Sequence, residues 1–337
     1  MNIIRYEQSH EKIWDKFVNE QSANGTFLQT RAFLNYHPEG RFKDCSLIIL
    51  PDQDLYDIYA VVPACEYAED GKKVFHSHLG STFGGVVINS IRYNVGDIID
   101  ILDSLDKYLR ENGYDKAILK LTPDIFCRTD SALLQYLLWN RGYEQGTELS
   151  TYIDYKTYRD DILSNFNRRK KRSVKKGQAQ NLVFKTLETE DEITSFYDIL
   201  CENLRKFDTT PVHTLPELFD LRQRLSDIID FYGVYDNEKM VAGAMNFFFK
   251  NTNAFHVQYS GARQEISDYS PMSHLFYGLI SHAKARSSEL LSFGISTEQK
   301  GRVLNVDLIT NKEAYGSSFS LNRTFYKELR VESEAWS

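Results

Sequence analysis

The sequence predicts a mixed α/β chain built from two similar domains, each a mixed, largely antiparallel sheet flanked by helices. Three observations point there. A length of 337 residues is about two domains' worth of chain. With 42% hydrophobic and 13% aromatic residues, each domain can bury a core of its own. One order of elements (helix, three-strand meander, helix, strand) runs once before residue 150 and again after it, with corresponding elements roughly 173–185 residues apart. The expected domains are 1–150 and 151–337, and the second opens on a basic linking helix at 160–177.

In the first half, apolar residues recur at helical spacing over 9–21, and strands follow at CSLIIL (45–50), DIYAVVPACEY (57–67) and KKVFHSHLG (72–80). A helix over 94–113 has Asn94 as N-cap, Ile98, Leu102, Leu105 and Leu109 along one face, and Gly113 as its stop. Strand KAILKL (116–121) and a helix at SALLQYLLWNRG (131–142) complete it. The second half repeats the pattern. Helices at 190–206 and 215–228 precede strands at 231–235, 239–249 and 253–262. A helix then starts with Ser270 as N-cap and Pro271 at the first helical position, and leads into strand 289–295.

Charge is distributed unevenly. The formal net charge is -7, yet seven of the nine residues from Arg168 to Lys176 are cationic, so the rest of the chain carries -14 (-7 minus 7). A run this local argues against coating DNA or RNA at large. On a helix, Arg168, Arg172, Lys175 and Lys176 share one face, while Ile162, Phe166 and Val174 anchor the other. With the helix stopped by Gly177, these cations lie at its C-terminal end, where the helix dipole favours them. The N-terminus has no apolar signal-like region and no stretch approaches a membrane span, so a cytoplasmic chain is expected.

Several chemistries lack their residues. The four cysteines (Cys45, Cys65, Cys127, Cys201) show no CxxC spacing and read as reduced, non-ligating thiols. His76 and His78 share a strand face with no third ligand in register, so no metal is expected. The Gly-rich stretch 80–85 lacks the Lys-Ser/Thr ending of a phosphate loop, and no G-x-S-x-G elbow occurs.

A meander followed by a capped helix presents backbone N–H groups that can hold phosphate oxygens, here at SGARQEISDYSPMSH (260–274). Further segments fall in a telling order: GTFLQTRAFLNY (25–36), the basic stretch from Phe166 to Gly177, KFDTTPVHTLPELF (206–219), KMVAGAMNFFF (239–249) with AFHVQYSGA (254–262), LLSFGIST (290–297), and NKEAYGSSF (311–319). In that order they resemble the tandem-GNAT acyltransferases, the group of the Fem-type aminoacyl transferases of peptidoglycan and the acetyltransferases of polysaccharide clusters. The sequence departs from that pattern at Ser292, where Asp is usual, at Asn311, where Phe is usual, and in lacking the glycine-rich coenzyme A loop signature.

The resemblance implies two GNAT-like domains and an N-acyltransferase that moves an acyl group from acyl-CoA, acetyl-CoA first, to an amino group of a cell-envelope sugar or peptide precursor. Donor and acceptor would both bear phosphate. An aminoacyl-tRNA donor is the alternative, and a non-enzymatic RNA-binding protein, supported by the basic helix alone, is the rival of another class. The matching family lysine assigns to Lys312 the stabilisation of charge on the acyl carbonyl. Direct attack by an amine also needs a base or orienting group, for which Asp268, His256 and Glu298 are candidates, and a proton donor, for which Tyr259 is. Arg168, Arg172, Lys175 and Arg263, with Ser270 and Ser273 at the helix start, are the candidate donor-binding residues. Plainer readings stand beside these: a satisfied strand histidine for His256, a turn cap for Asp268, a surface lysine for Lys312 and a solvated helix face for the cations.

Overall fold

A computed structural model describes residues 1–206, 208–263 and 270–330. The chain divides into two compact units, Met1–Glu148 with Leu321–Ser337, and Leu149–Ser320.

The first unit opens with β1 (Asn2–Arg5), α1 (Glu11–Lys16) and α2 (Arg31–Leu34), and continues through β2 (Lys43–Asp44), β3 (Leu47–Leu50), β4 (Ala60–Val62), β5 (Cys65–Glu69), β6 (Lys72–Ser77) and β7 (Val87–Ile88). It closes with α3 (Val95–Glu111), β8 (Lys116–Lys120), α4 (Ala132–Asn140) and β9 (Glu144–Asp154), which leads into the second unit. The stretch 57–67, expected as one strand, is two: β4 and β5 are separated at Val62–Ala64 around Pro63, which cannot donate to a ladder, and the chain changes sheet there. β4 lies in a four-stranded sheet ordered β1-β3-β4-β7, whereas β5 pairs with β6. Asn94 caps α3 as expected, its side chain accepting from Asp97 N, and Ile98, Leu102, Leu105 and Leu109 are buried in the core.

The second unit continues with α5 (Ile162–Asn165), α6 (Arg168–Ala179), β10 (Val183–Thr186), α7 (Glu190–Arg205) and α8 (Leu215–Arg224). Its meander is β11 (Ile229–Asp236), β12 (Lys239–Phe249) and β13 (Ala254–Ala262), antiparallel throughout. Then come α9 (Pro271–Ala285), β14 (Leu290–Ile295), the hairpin β15 (Thr297–Glu298) and β16 (Val303–Leu304), α10 (Val306–Glu313), and β17 (Ser318–Glu328). The sheet order here is β10-β11-β12-β13-β14-β9. In both units a helix carries the chain from one strand to a parallel neighbour, β6–α3–β8 and β13–α9–β14. The sequence reading places 151–337 in the second domain; in the structure Thr324–Glu328 of β17 pairs with β8 of the first unit.

The basic helix also differs from its expected form. Phe166 and Asn167 are extended, which splits the stretch into α5 and α6, and Asn167 caps α6 by accepting from Lys170 N at 2.9 Å. Arg168 to Lys171 therefore fill the first turn, the end where the dipole disfavours cations, not the last. Gly177 does not stop the helix. It lies inside α6, where a Cβ would come within 3.0 Å of His274 Nδ1 on α9, so it is there for close packing.

A second glycine sets how closely α9 approaches β10. A Cβ on Gly278 would meet the Phe184 ring at 2.3 Å, and that ring is stacked on Tyr232 with its centroid 5.5 Å away, so it has no room to retreat. Gly278→Ala should gain about 1 kcal/mol of helix propensity and lose about 1–3 kcal/mol to overpacking, giving net destabilisation. Urea unfolding checks the sign, and a more stable variant would show that the interface yields.

Candidate active site

The second unit's sheet forks between β13 and β14. These parallel strands pair only at Ala254–His256 with Leu290–Ser292, after which β13 runs on to Ala262 and β14 to Ile295 without further pairing between them. A bulge marks each strand at the fork. The β12–β13 register slips between Met245 and Asn246, leaving Gln258 as an extra residue, and the β14–β9 register slips between Ser292 and Gly294. Bulges bend and twist a strand locally, which is what drives neighbours apart. Gly294 completes the turn-out with φ +72°, a conformation glycine adopts without strain.

His256, Ser292, Gly294 and Lys312 converge there. His256 Nδ1 lies 3.1 Å from Ser292 Oγ, which also accepts from Gly294 N at 3.2 Å. Lys312, on the last turn of α10 and 8% exposed, donates to Gly294 O at 3.0 Å, Ile295 O at 2.7 Å and Ser296 Oγ at 3.0 Å. An ammonium has three N–H bonds. All three are engaged, so in this arrangement Lys312 holds the outgoing end of β14 in place, and donating to an acyl oxygen would cost it one of these contacts. Burial pushes its pKa down from 10.5 to about 8. Burial, then the Lys312 charge, pushes His256 down to about 4, so this imidazole is neutral near pH 7 and a weak base.

Tyr259, three residues after His256 on β13 and directly past the bulge at Gln258, has its hydroxyl 2.5 Å from His213 Nδ1. Burial pushes the phenol up to about 12, which keeps its proton in place. His213 is buried and fixed by its position just before Thr214, the cap of α8, whose capping box Glu217 completes. His213 lies in the stretch 206–219 and is not among the residues that the sequence singles out. The Thr-x-x-Glu box that follows was the available signal, because it fixes where α8 begins.

The other expected residues lie in varied places. Ser270 caps α9, accepting from Ser273 N at 3.3 Å, and Ser273 donates its hydroxyl to Ser270 at 3.0 Å, so both side chains serve the helix start. Arg263 is held by Met240 O at 3.0 Å and by Glu202 at 3.6 Å. Glu298 is exposed on the hairpin and accepts from Asn305 at 2.7 Å. Asp268 lies outside the described residues. Arg168, Arg172 and Lys175 are exposed. Lys170 of that run turns inward, donating to Asn311 Oδ1 at 2.9 Å and lying 4.6 Å from the Tyr315 ring centroid. Burial, then Arg169, lowers its pKa to about 8. Nothing in the sequence singled it out among seven cations, since the choice depends on where α6 starts. Burial also pushes the Cys45 and Cys65 thiols up to about 12 and about 11, away from the thiolate a nucleophile needs.

Residues 164–300 match the family model of the acetyltransferase (GNAT) domain. No curated protein matches the sequence. Among solved structures, the chain is similar to FemX, with a TM-score of 0.69 at 11% identity over 96% of this chain and 97% of that one. It is also similar to L-PGS from Bacillus licheniformis, at 0.59 and 12% over 96% and 93%. A tandem GNAT protein from the clavulanic acid biosynthesis pathway gives 0.55 and 8% over 98% and 99%. The fold over nearly the whole chain is thus that of FemX and the tandem GNAT protein, and residues 164–300 carry a match to the acetyltransferase (GNAT) domain.

Lys312→Met tests the role of the buried ammonium. Two carbonyls would lose their donor, at about 1–3 kcal/mol. Because the folded pKa is lowered, the unfolded chain binds more protons between about 8 and 10.5, so the Lys312 contribution to stability rises with pH across that window. Urea midpoints of both proteins near pH 8 and near pH 10 should therefore draw further apart at the higher pH. A constant difference would mean that the ammonium is not held at a lowered pKa.

Proposed function

We propose that the protein transfers an acyl group from an acyl-CoA donor to an amino group of a cell-envelope sugar or peptide precursor. The observation that carries this reading is the fork, where two bulged parallel strands part beside His256, Ser292 and Lys312 inside a domain matched to the acetyltransferases. A strand edge released from its neighbour offers N–H and C=O groups to an extended, amide-containing chain, and the arm of coenzyme A is such a chain. The start of α9, capped by Ser270, lies on the crossover from β13 to β14 and suits phosphate oxygens. Lys175 lies two residues before Gly177, which packs against His274 in the first turns of α9. Arg168 and Arg172, a turn or more earlier on α6, are left out of the donor site.

In the reaction the neutral amine nitrogen attacks the thioester carbonyl, the C–N bond forms as the C–S bond breaks, the sulfur leaves as a thiol with a proton from the enzyme, and the proton lost by the nitrogen restores that donor. Tyr259 is the donor of that proton, its phenol kept protonated by burial and oriented by His213. His256, neutral at pH 7, accepts a hydrogen bond from the amine without contributing much basicity. Lys312 acts through the backbone it fixes. An aminoacyl-tRNA donor is the second reading, favoured by the similarity to FemX over nearly the whole chain.

A ligand present at about a hundred times its Kd raises stability by roughly 2.7 kcal/mol. Thermal titration with acetyl-CoA, coenzyme A and an aminoacyl-tRNA therefore separates the donors: a rise with both coenzyme A compounds is expected, and a rise with tRNA alone moves the reading to aminoacyl transfer. Tyr259→Phe should lower kcat by about a hundredfold with the melting temperature nearly unchanged. Full turnover in that variant removes the phenol from the reaction.

A further inference from the structure

Two features of the second unit are unused by acyl transfer, and they are neighbours. One is the exposed face of α6, with Arg168, Arg169 and Arg172. The other is the segment from the β15–β16 hairpin into α10. Within six residues it exposes Val303 (40%), Leu304 (46%), Val306 (61%) and Leu308 (41%). Single exposed aliphatic residues are ordinary, but four within six residues need an explanation.

This segment is held firmly. Thr297 and Glu298 pair with Leu304 and Val303, Asn305 N donates to Ser296 O at 3.0 Å, and Asn305 caps α10 by accepting from Leu308 N at 2.9 Å. It is also tied to the basic helix. Lys170 donates to Asn311, and Asn167 N donates to Ala314 O at 2.9 Å, so the start of α6 meets the end of α10. Leu308 and Asn311 are three residues apart on α10 and share a face, which places Leu308 on the side that meets α6, about one helical turn from that contact. Lys300 and Arg302 at the hairpin turn are exposed too, and the exposed acids of the segment, Glu298, Asp307 and Glu313, are fewer than the cations around them.

We propose that this combined surface docks the protein on an anionic lipid bilayer, the aliphatic side chains entering the headgroup boundary while the arginines meet lipid phosphates. Attachment is peripheral, because no described helix is long and apolar enough to cross a membrane. The charge pattern fits such a partner: an acidic chain is repelled by an anionic surface unless its cations are gathered on the approaching face. RNA phosphates would suit the arginines equally well. RNA bases, however, are held by stacking on aromatic rings, and the four residues beside the cations are aliphatic. The aliphatic patch therefore favours the membrane.

Co-sedimentation of the full chain with vesicles, without donor or acceptor present, tests this independently of the acyltransfer reading. Vesicles of phosphatidylcholine containing about a third phosphatidylglycerol should carry the protein down, and pure phosphatidylcholine should not. Each neutralised cation should weaken partitioning about fivefold, so combined Arg168→Gln, Arg169→Gln and Arg172→Gln should lower it on the order of a hundredfold. Val306→Ser with Leu308→Ser should lower it about tenfold and leave its salt dependence intact. Circular dichroism of both variants confirms that they fold. Equal recovery on the two vesicle types, no recovery on either, or unchanged recovery of the Val306/Leu308 variant would each overturn the proposal. So would retention of tRNA on a filter, unaffected by that variant, by a protein that leaves vesicles in solution.

Discussion

One buried ammonium holds the end of β14, and much of the second unit's site depends on it. Lys312 gathers two backbone carbonyls and a serine hydroxyl from three consecutive residues, Gly294 to Ser296, where the strand has parted from β13 while staying paired with β9. Those carbonyls turn inward only because something there can donate to them, and an arginine's planar fork would not match three acceptors arranged around one point. Ser296 in turn closes the base of the hairpin through Asn305. Fork, hairpin and α10 are therefore one hydrogen-bonded assembly. Among the described residues its charge is stabilised by neutral dipoles alone, and burial without a carboxylate partner there lowers the pKa. Shifted values of this kind are what a site with work to do tends to hold.

The meander, the crossover helices and their caps were legible because each rests on a local signal: period-two apolar runs for β11 to β13, Asn94 ahead of α3, Ser270 with Pro271 ahead of α9. Less legible was everything decided by one residue of register. Gln258 becomes an extra residue in β13 only because β12 pairs as it does, and the slip at Ser292–Gly294 depends on β9, more than a hundred residues earlier in the chain. The short strands β10, β15 and β16 have too few residues to show a period. The break at Phe166–Asn167 had a signal, since Asn167 is a good cap, but the cations on both sides of it read as one continuous run.

That break also decides how much of the site could be anticipated. A motif points to Lys312, but no local signal foretells that all three of its hydrogens have acceptors on Gly294 to Ser296. His213 was missed because a histidine beside a proline-containing loop looks ordinary until Tyr259 is brought to it by β13. Lys170 shows the same dependence. Starting the helix at Arg168 turns Lys170 toward Asn311 and Tyr315, and a helix begun at Ile162 would have set the phase differently.

Placing the cations at the start of α6 has an energetic consequence. Charges of that sign in the first turn cost about 0.3–1 kcal/mol each, and Arg168, Arg169, Lys170 and Lys171 crowd one another besides. Lys170 recovers part of this through Asn311 and the Tyr315 ring, and Lys171 through Ser164 O at 3.3 Å. Arg168, Arg169 and Arg172 remain exposed, while α6 is anchored by Val174, by Gly177 against α9 and by Phe166 just ahead of it. Packing alone would be served as well by neutral residues at those three positions. Their repulsion is relieved from outside the chain, by counter-ions in dilute solution and more strongly by any fixed anionic surface that the neighbouring aliphatic residues can also enter.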